Sequence, residues 1–230
     1  LIVSPKEPAM NAPLDLERAR FNMIEQQIRP WDVLDLGVLS LLAMVRREDF
    51  VPAAYKSLAF VDTEIPLGNG QVMLAPRVEA RLLQEAHVQR HERVLEIGTG
   101  SGFMAALLAH RAQSVISLEK VPALATQAAA NLRRGGVLNA SVREMDGAAG
   151  LPGDGQFDVI MLSGSVAQVP QGLLDQLKVG GRLLAVVGQE PMMRAVRITR
   201  LSASQLQTDE LFDTVVPRLS GMGEPSRFAL

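Results

Sequence analysis

The feature that most constrains the fold is an apolar stretch that runs directly into a glycine-rich turn and then into an apolar helical pattern. The stretch covers residues 94–97, the turn is Gly98-Thr99-Gly100-Ser101-Gly102, and the helical pattern covers residues 104–112. Glycines at alternate positions allow positive φ angles, and they let a ligand approach peptide N–H groups with no Cβ in the way. The order of strand, glycine turn and helix predicts a parallel sheet with a nucleotide-type cofactor site at the turn.

Acidic residues follow the next two predicted strands. Residues 114–119 end in Glu119, about 20 residues beyond the turn, where such folds hold a ribose diol. Asp146 and Gly147 follow the strand-like residues 141–145. Because the carboxyl ends of parallel strands meet at one edge of a sheet, we expect the turn and Glu119 to belong to one site.

The spacing of the glycines separates two cofactor classes. Dinucleotide folds use G-x-G-x-x-G to place a pyrophosphate at a helix N-terminus, whereas this chain has G-x-G-x-G with Glu96 just upstream. A carboxylate there repels phosphate and favours a cation. The pattern E-x-G-x-G-x-G resembles the first motif of the class I S-adenosylmethionine-dependent methyltransferases, whose ligand carries an ammonium and a sulfonium but no phosphate.

This resemblance implies a role for each part of the motif. The three glycines would approach the amino-acid moiety of the cofactor, with Glu96 near its ammonium. Glu119 would hold the ribose, and Asp146 with Gly147 the adenine. A nicotinamide oxidoreductase is the rival interpretation, and both the glycine spacing and Glu96 disfavour it.

Composition limits the classes of protein that remain. The 230 residues, 47% of them hydrophobic, suffice for one α/β domain with a small accessory element. The net charge of −2 and the lack of a basic tract argue against a nucleic-acid partner. There is no cysteine, which excludes disulfides and fits a reducing cytoplasm. No apolar run reaches membrane-spanning length, and residues 1–13 lack the order of a secretory signal, so we expect a cytoplasmic protein without a membrane partner.

Three regions are predicted along the chain. Residues 1–13 precede or surround the first methionine, Met10, and are expected to be a poorly ordered extension or vector-derived. Residues 14–75 form a helical element and a covering loop, with helices at 15–28 (capped by Asp15, ended by Pro30) and 33–45, and an irregular segment at 62–71. Residues 76–230 form a Rossmann-like α/β domain, in which a mainly parallel sheet has helices on both faces.

The elements of that last domain follow from its alternating patterns. Helices are predicted at 76–86, 104–112, 121–134 and 170–177. Strands are predicted at 93–97, 114–119, 141–145, 157–163 and 182–188. Residues 196–201 and 210–216 are predicted as a closing antiparallel pair.

Several segments resemble the protein-L-isoaspartate O-methyltransferase family, over nearly all of residues 16–217. They are residues 23–29, 50–52, 65–71, 94–102 and 173–183. The resemblance implies methyl transfer from S-adenosylmethionine to the carboxylate of isoaspartyl residues in damaged proteins, with S-adenosylhomocysteine as product. Besides the motif residues above, it adds to the cofactor site Gln71, Val72, Met73, Thr99, Ser101, Lys120 and Ser163.

The chain departs from the family pattern directly after Gln71. Members that repair isoaspartate carry a Thr-Ile-Ser type segment whose hydroxyl residue is regarded as catalytic or substrate-orienting, whereas this chain has Val72-Met73-Leu74. Leu74, at the position of that hydroxyl, cannot donate a hydrogen bond to a carboxylate. Since a carboxylate is already ionised at pH 7 and needs no general base, the lost hydroxyl is a positioning group, worth about 1–3 kcal/mol.

Two hypotheses therefore stay open. The first is an active isoaspartyl methyltransferase. The second is an S-adenosylmethionine-binding module with impaired catalysis, or a methyltransferase for another acceptor that fits an apolar pocket.

Two other groups of residues allow alternative interpretations. His87 and His91 have the spacing of a helical metal pair, but no third ligand accompanies them, so we expect an exposed helix end and no metal. The sequence Ser163-Gly164-Ser165 ends a predicted strand, and either faces the methyl acceptor or makes a tight turn.

Overall fold

A computed structural model describes residues 12–223 of the chain. It begins with helix α1 (Ala12–Met23), which continues through a π-helical turn (Ile24–Ile28) and a 3₁₀ turn (Arg29–Trp31). Asp15 was predicted to cap this helix, but it lies inside the first turn because the helix begins at Ala12. The expectation for residues 1–11 falls outside the described residues.

Helix α2 (Leu36–Met44) has a side-chain cap at its N-terminus. The Asp35 carboxylate accepts a hydrogen bond of 3.0 Å from the backbone N–H of Val38. This bond satisfies one of the N–H groups that a helix start leaves without an intrahelical partner. The helix therefore begins three residues later than residue 33, where the sequence pattern placed it.

A β-hairpin occupies the segment that was predicted to be irregular. Strands β1 (Ile65–Gly68) and β2 (Gln71–Met73) pair antiparallel, with Ile65 opposite Met73. The turn between them has positive φ at Gly68, Asn69 and Gly70. Glycine and asparagine adopt such angles at low energetic cost, so the residues that suggested irregularity are those of a hairpin turn.

The rest of the chain builds a seven-stranded sheet with helices. The strands are β3 (Arg93–Ile97), β4 (Ser114–Glu119), β5 (Ala140–Glu144), β6 (Phe157–Val166), β7 (Leu177–Gln189), β8 (Met192–Arg200) and β9 (Leu206–Asp213). Their order is β5-β4-β3-β6-β7-β8-β9; the pairs from β5 to β7 are parallel, and β8 and β9 are antiparallel. The helices are α3 (Pro76–Ala86), α4 (Phe103–Arg111), α5 (Pro122–Arg134) and α6 (Gln171–Asp175).

Most predicted elements are confirmed, but several of their ends are wrong. Strands β7, β8 and β9 begin four or five residues before the predicted starts at 182, 196 and 210. The tight turn considered at residues 163–165 is absent from the described chain, because β6 continues to Val166 with a register shift between Met161 and Ser165. The helix predicted to reach residue 177 ends at Asp175, since Leu177 already pairs with Phe157 of β6. The antiparallel pair is present as β8 and β9, but β9 ends at Asp213 rather than residue 216.

The core lies on both faces of the sheet. Val94 of β3 packs into a cluster with residues of the N-terminal element and of α3 and α4. Its neighbours Leu95 and Ile97 pack on the opposite side with α6 and the C-terminal residues Leu219 and Met222. Buried strands of this kind are typical of parallel sheets covered on both faces, so the predicted fold class is confirmed. Among the described helices, none is long and apolar enough to cross a membrane.

Candidate functional site

The candidate site lies where the strand order reverses. The chain passes from β3 to β4 on one side and later returns to β6 on the other side of β3. In open α/β sheets a ligand binds outside the carboxyl ends of strands at such a point. A cavity occupies this position, and the residues that line it are Gln71, Val72, Ile97, Gly98, Gly100, Leu118, Glu119, Lys120, Val121, Gly147, Ser163, Leu219, Ser220 and Met222.

The three glycines of the turn have positive φ angles, and two of them also allow close packing because they lack a Cβ. Gly98, Gly100 and Gly102 have φ of +90°, +53° and +86°. A Cβ on Gly98 would lie 2.6 Å from Cδ2 of Leu219. The glycine therefore allows the Leu219 side chain to pack closely against the turn, over the cavity. A Cβ on Gly102 would lie 3.3 Å from the backbone oxygen of Ala128, so this glycine lets α4 pack against α5 and does not line the cavity.

Glu119 is joined directly to the turn. Its Oε2 accepts a hydrogen bond of 2.8 Å from the N–H of Gly100, and its Oε1 accepts one of 2.9 Å from the N–H of Val121. Each carboxylate oxygen has a second lone pair, which can accept a hydrogen bond from a ligand hydroxyl. The structure thus brings together the turn and the carboxylate that the sequence assigned to one site.

Glu96 is fully buried below the turn. The hydroxyl of Ser117 donates to its Oε2 over 2.6 Å, and that of Ser163 donates to its Oε1 over 2.7 Å. Burial raises the pKa of Glu96 to about 8, against the two serine hydrogen bonds, and the charges of Glu79 and Glu119 act in the same direction as burial. The carboxyl group is therefore mostly protonated at pH 7, and a cation beside it would favour its ionised form.

Lys120, which lines the cavity, forms an ion pair with Asp146. Lys120 Nζ donates to Asp146 Oδ2 over 2.7 Å, and the backbone N–H of Ala148 donates to Oδ1 over 3.0 Å. The Lys120 hydrogen bond, followed by that from Ala148, holds the pKa of Asp146 below its usual value. Lys120 and Gly147 line the cavity, whereas Asp146 lies outside its lining and orients Lys120.

A narrow slot lies beside this cavity, between the end of β2 and the glycine turn. The residues that line it are Val72, Met73, Leu74, Glu79, Glu96, Gly98, Thr99, Gly100, Ser101, Met104 and Ser163. Of the predicted site residues, all but Gly102 and Asp146 line the cavity or the slot. The roles assigned to these residues stay predictions.

Sequence reasoning missed a segment that covers the cavity, residues 217–222, which we call the C-terminal strap. Ser165 of β6 donates its N–H to the oxygen of Pro217 over 2.8 Å and accepts from the N–H of Leu219 over 2.9 Å. The Gln71 side-chain amide donates to Ser220 Oγ over 3.0 Å. The sequence gives only a weak indication that this segment packs on the protein. Apolar residues recur three positions apart, at 216, 219 and 222, in a stretch otherwise rich in turn formers.

The histidine pair lies away from this site. His87 ends α3 with φ of +47°, and both His87 and His91 are exposed, so the expected helix end is confirmed for His87. Within residues 12–223, no cluster of three or more His, Cys, Asp or Glu residues is placed to hold a metal ion.

The sheet order, the glycine turn and the acid at the end of β4 define a Rossmann-like methyltransferase fold. A Plasmodium falciparum structure assigned as a protein-L-isoaspartate O-methyltransferase, solved in complex with S-adenosyl-L-homocysteine, shares this fold with a TM-score of 0.73. It is 21% identical in sequence, and the match covers 88% of this chain and 97% of that one.

Sequence comparison gives the family. The family model for protein-L-isoaspartate (D-aspartate) O-methyltransferase matches residues 19–219. A protein-L-isoaspartate O-methyltransferase of Methanoculleus marisnigri is 39% identical over 183 residues, which cover 80% of this chain and 83% of the relative. A protein-L-isoaspartate O-methyltransferase 2 of Marinobacter nauticus is 39% identical over 213 residues, covering 92% and 97%. The chain belongs to the protein-L-isoaspartate O-methyltransferase family.

Proposed function

We propose that this protein is an S-adenosylmethionine-dependent methyltransferase that methylates the carboxylate of isoaspartyl residues in damaged proteins. Family membership and the names of the relatives support the reaction. The observation that carries the cofactor is a pair of buried acids next to the glycine turn. Among the described residues, the hydrogen-bond partners of the Glu96 side chain are two serine hydroxyls and no cation, and Glu119 binds the N–H of Gly100 with acceptor capacity left.

The residues present fit S-adenosylmethionine better than a phosphate-bearing cofactor. The described residues that line the cavity include one cation, Lys120, and it is paired with Asp146. Glu96 would favour the ammonium of the ligand, Glu119 would accept from the ribose diol, and Gly147 beside Asp146 would border the adenine. When bound, the cofactor supplies an electrophilic methyl group.

The chain has little proton chemistry to perform in this reaction. The acceptor carboxylate is ionised at pH 7, so what the protein contributes is alignment and exclusion of water. The slot is lined by the apolar side chains of Val72, Met73 and Leu74, and the C-terminal strap covers the neighbouring cavity. The Leu74 side chain is 5% exposed and offers no hydrogen bond. We therefore expect isoaspartyl turnover to be about ten- to a hundredfold slower than with a positioning hydroxyl.

The test has two stages on one preparation. Titration calorimetry with S-adenosylhomocysteine measures cofactor binding, and tritiated methyl transfer then compares an isoaspartyl peptide with the same peptide carrying a normal aspartyl residue. Binding with turnover of the isoaspartyl peptide alone is the expected result. Binding without turnover of either peptide would favour another acceptor or an impaired module, and no binding would overturn the cofactor assignment.

Family membership supports a protein or peptide partner that carries isoaspartate. A cytoplasmic location and the lack of a nucleic-acid or membrane partner stay predictions of the sequence. The proposed reaction needs neither of them.

A further inference from the structure

A buried ion pair lies against the Val72–Leu74 segment. Arg47 is 1% exposed and Glu79 is 4% exposed, and Arg47 Nη1 donates to Glu79 Oε2. Glu79 projects from α3 and lines the slot, whereas Arg47 comes from the 3₁₀ turn that follows α2. Taking two charges out of water costs several kcal/mol per ion, and well-packed apolar residues often give equal or better stability. The pair is therefore poorly explained by stability alone.

Arg47 also contacts the segment at the end of β2 and the first residue of α4. Its Nη2 donates to the backbone oxygen of Leu74 over 2.7 Å, which holds the end of the β2 segment. Its guanidinium carbon lies 4.9 Å from the ring centroid of Phe103, the first residue of α4 and the residue directly after the glycine turn. One planar side chain thus joins the backbone of Leu74, which lines the slot, to the residue that precedes the lining residue Met104.

We propose that Arg47, oriented by Glu79, is a positioning residue that sets the distance between the Val72–Leu74 segment and the glycine turn, and thereby the shape of the slot for the amino-acid end of the cofactor. This inference rests on the proposed function. A guanidinium donates in a rigid planar fork, so it fixes two acceptors at a set angle, which a lysine ammonium does not do. The contact is to a backbone carbonyl, so it acts whatever side chain stands at position 74.

The arrangement matters because side-chain hydroxyls are absent from this segment. Val72, Met73 and Leu74 have no polar side-chain atom with which to anchor themselves to the site. Among the described residues, Arg47 provides the side-chain hydrogen bond that this segment receives. A misplacement of about 1 Å in a binding or catalytic geometry can lower the rate on the order of a hundredfold. The position of the Val72–Leu74 segment therefore affects function.

The test separates binding from folding stability. We would measure the Kd of S-adenosylhomocysteine and the thermal unfolding midpoint for wild type, Arg47→Lys and the apolar double variant Arg47→Met with Glu79→Leu. The double variant removes both charges, so it avoids an unpaired buried ion and should keep most of the stability. Both variants are expected to bind at least about tenfold more weakly, since neither presents a planar guanidinium to the Leu74 carbonyl.

A second, partly buried pair outside the ligand site provides the control. Arg182 of β7 donates to Glu92 over 2.6 and 2.8 Å, and neither residue lines the cavity or the slot. The variant Arg182→Met with Glu92→Leu should change the unfolding midpoint but leave Kd within about twofold of wild type, since neither side chain reaches the ligand site. Wild-type Kd in the Arg47 variants would overturn the inference and leave the proposed function intact. Failure of wild type itself to bind would overturn the proposed function, and the inference with it.

Discussion

Ser163 of β6 donates a hydrogen bond of 2.7 Å to Oε1 of Glu96 in β3, and so joins the two strands that border the crevice of the sheet. Ser117 of β4 holds the other oxygen of the same carboxyl group. Glu96 is thus bound from both neighbouring strands and fully removed from water. Removal from water favours the neutral form of a carboxyl group, and a cation bound beside it favours the ionised form.

The pH dependence of stability should change in Glu96→Gln. Burial raises the pKa of Glu96 from its ordinary value of 4.5 to about 8, so between these values the native state holds a proton that the unfolded state lacks. The free energy of unfolding therefore falls as pH rises from about 4.5 to 8 through this group. Glutamine resembles the protonated form and does not titrate. Thermal unfolding of both proteins at several pH values should show the variant gaining relative to wild type as pH rises, whereas parallel curves would contradict this account.

Ligand binding at pH 7 should release a proton from Glu96. An ammonium placed beside the carboxyl group stabilises its charged form, so the group ionises on binding. Titration with S-adenosylhomocysteine in two buffers of different ionisation enthalpy measures this release, with up to about one proton expected per ligand. Glu96→Gln should bind more weakly and release no proton at this position. Equal heats for wild type in both buffers would show that the carboxyl group does not face the ammonium.

Restoring hydroxyls should increase isoaspartyl methylation. In Val72→Thr with Leu74→Ser, a positioned hydroxyl worth about 1–3 kcal/mol should raise kcat/KM on an isoaspartyl peptide by roughly tenfold or more. Leu74 is buried, so the serine also lowers stability by about 2–4 kcal/mol. Val72→Thr with Leu74→Ala, which opens a comparable space without the hydroxyl at position 74, is the control. If the alanine and serine variants have equal activity, the hydroxyl is not what this segment lacks.

The C-terminal strap should control how fast the ligand leaves. Leu219 packs over Gly98 and Gly164, and its neighbours line the cavity. Leu219→Ala removes apolar cover worth about 1–2 kcal/mol, so S-adenosylhomocysteine should dissociate roughly tenfold faster in stopped-flow displacement. Leu138→Ala, at a side chain that is 93% exposed, should leave the rate unchanged. An unchanged rate in Leu219→Ala would mean that the strap is not part of the exit path.

The helices and strands from residue 76 onward were predicted from regular hydrophobic patterns in the sequence. Helix α3 and strands β3 and β4 have the predicted bounds, because an amphipathic or continuously apolar run bounded by breakers is a local property of the chain. The hairpin at residues 65–73 was missed, since its turn residues are equally typical of an irregular loop. The end of β6 was placed too early for a related reason: a serine-glycine-serine run inside a bulged strand looks like a turn.

The individual strands, the glycine turn and the acids at the ends of the strands are predictable from the sequence alone, because each depends on residues close together in the chain. The groups that meet from a distance are known only from the folded structure: the serines on Glu96, Arg47 on Leu74 and Glu79, and the strap on Gly98. Each of these contacts joins residues at least 20 positions apart. These long-range contacts cannot be predicted from local sequence patterns. They depend on how the packed elements bring side chains together and remove them from water.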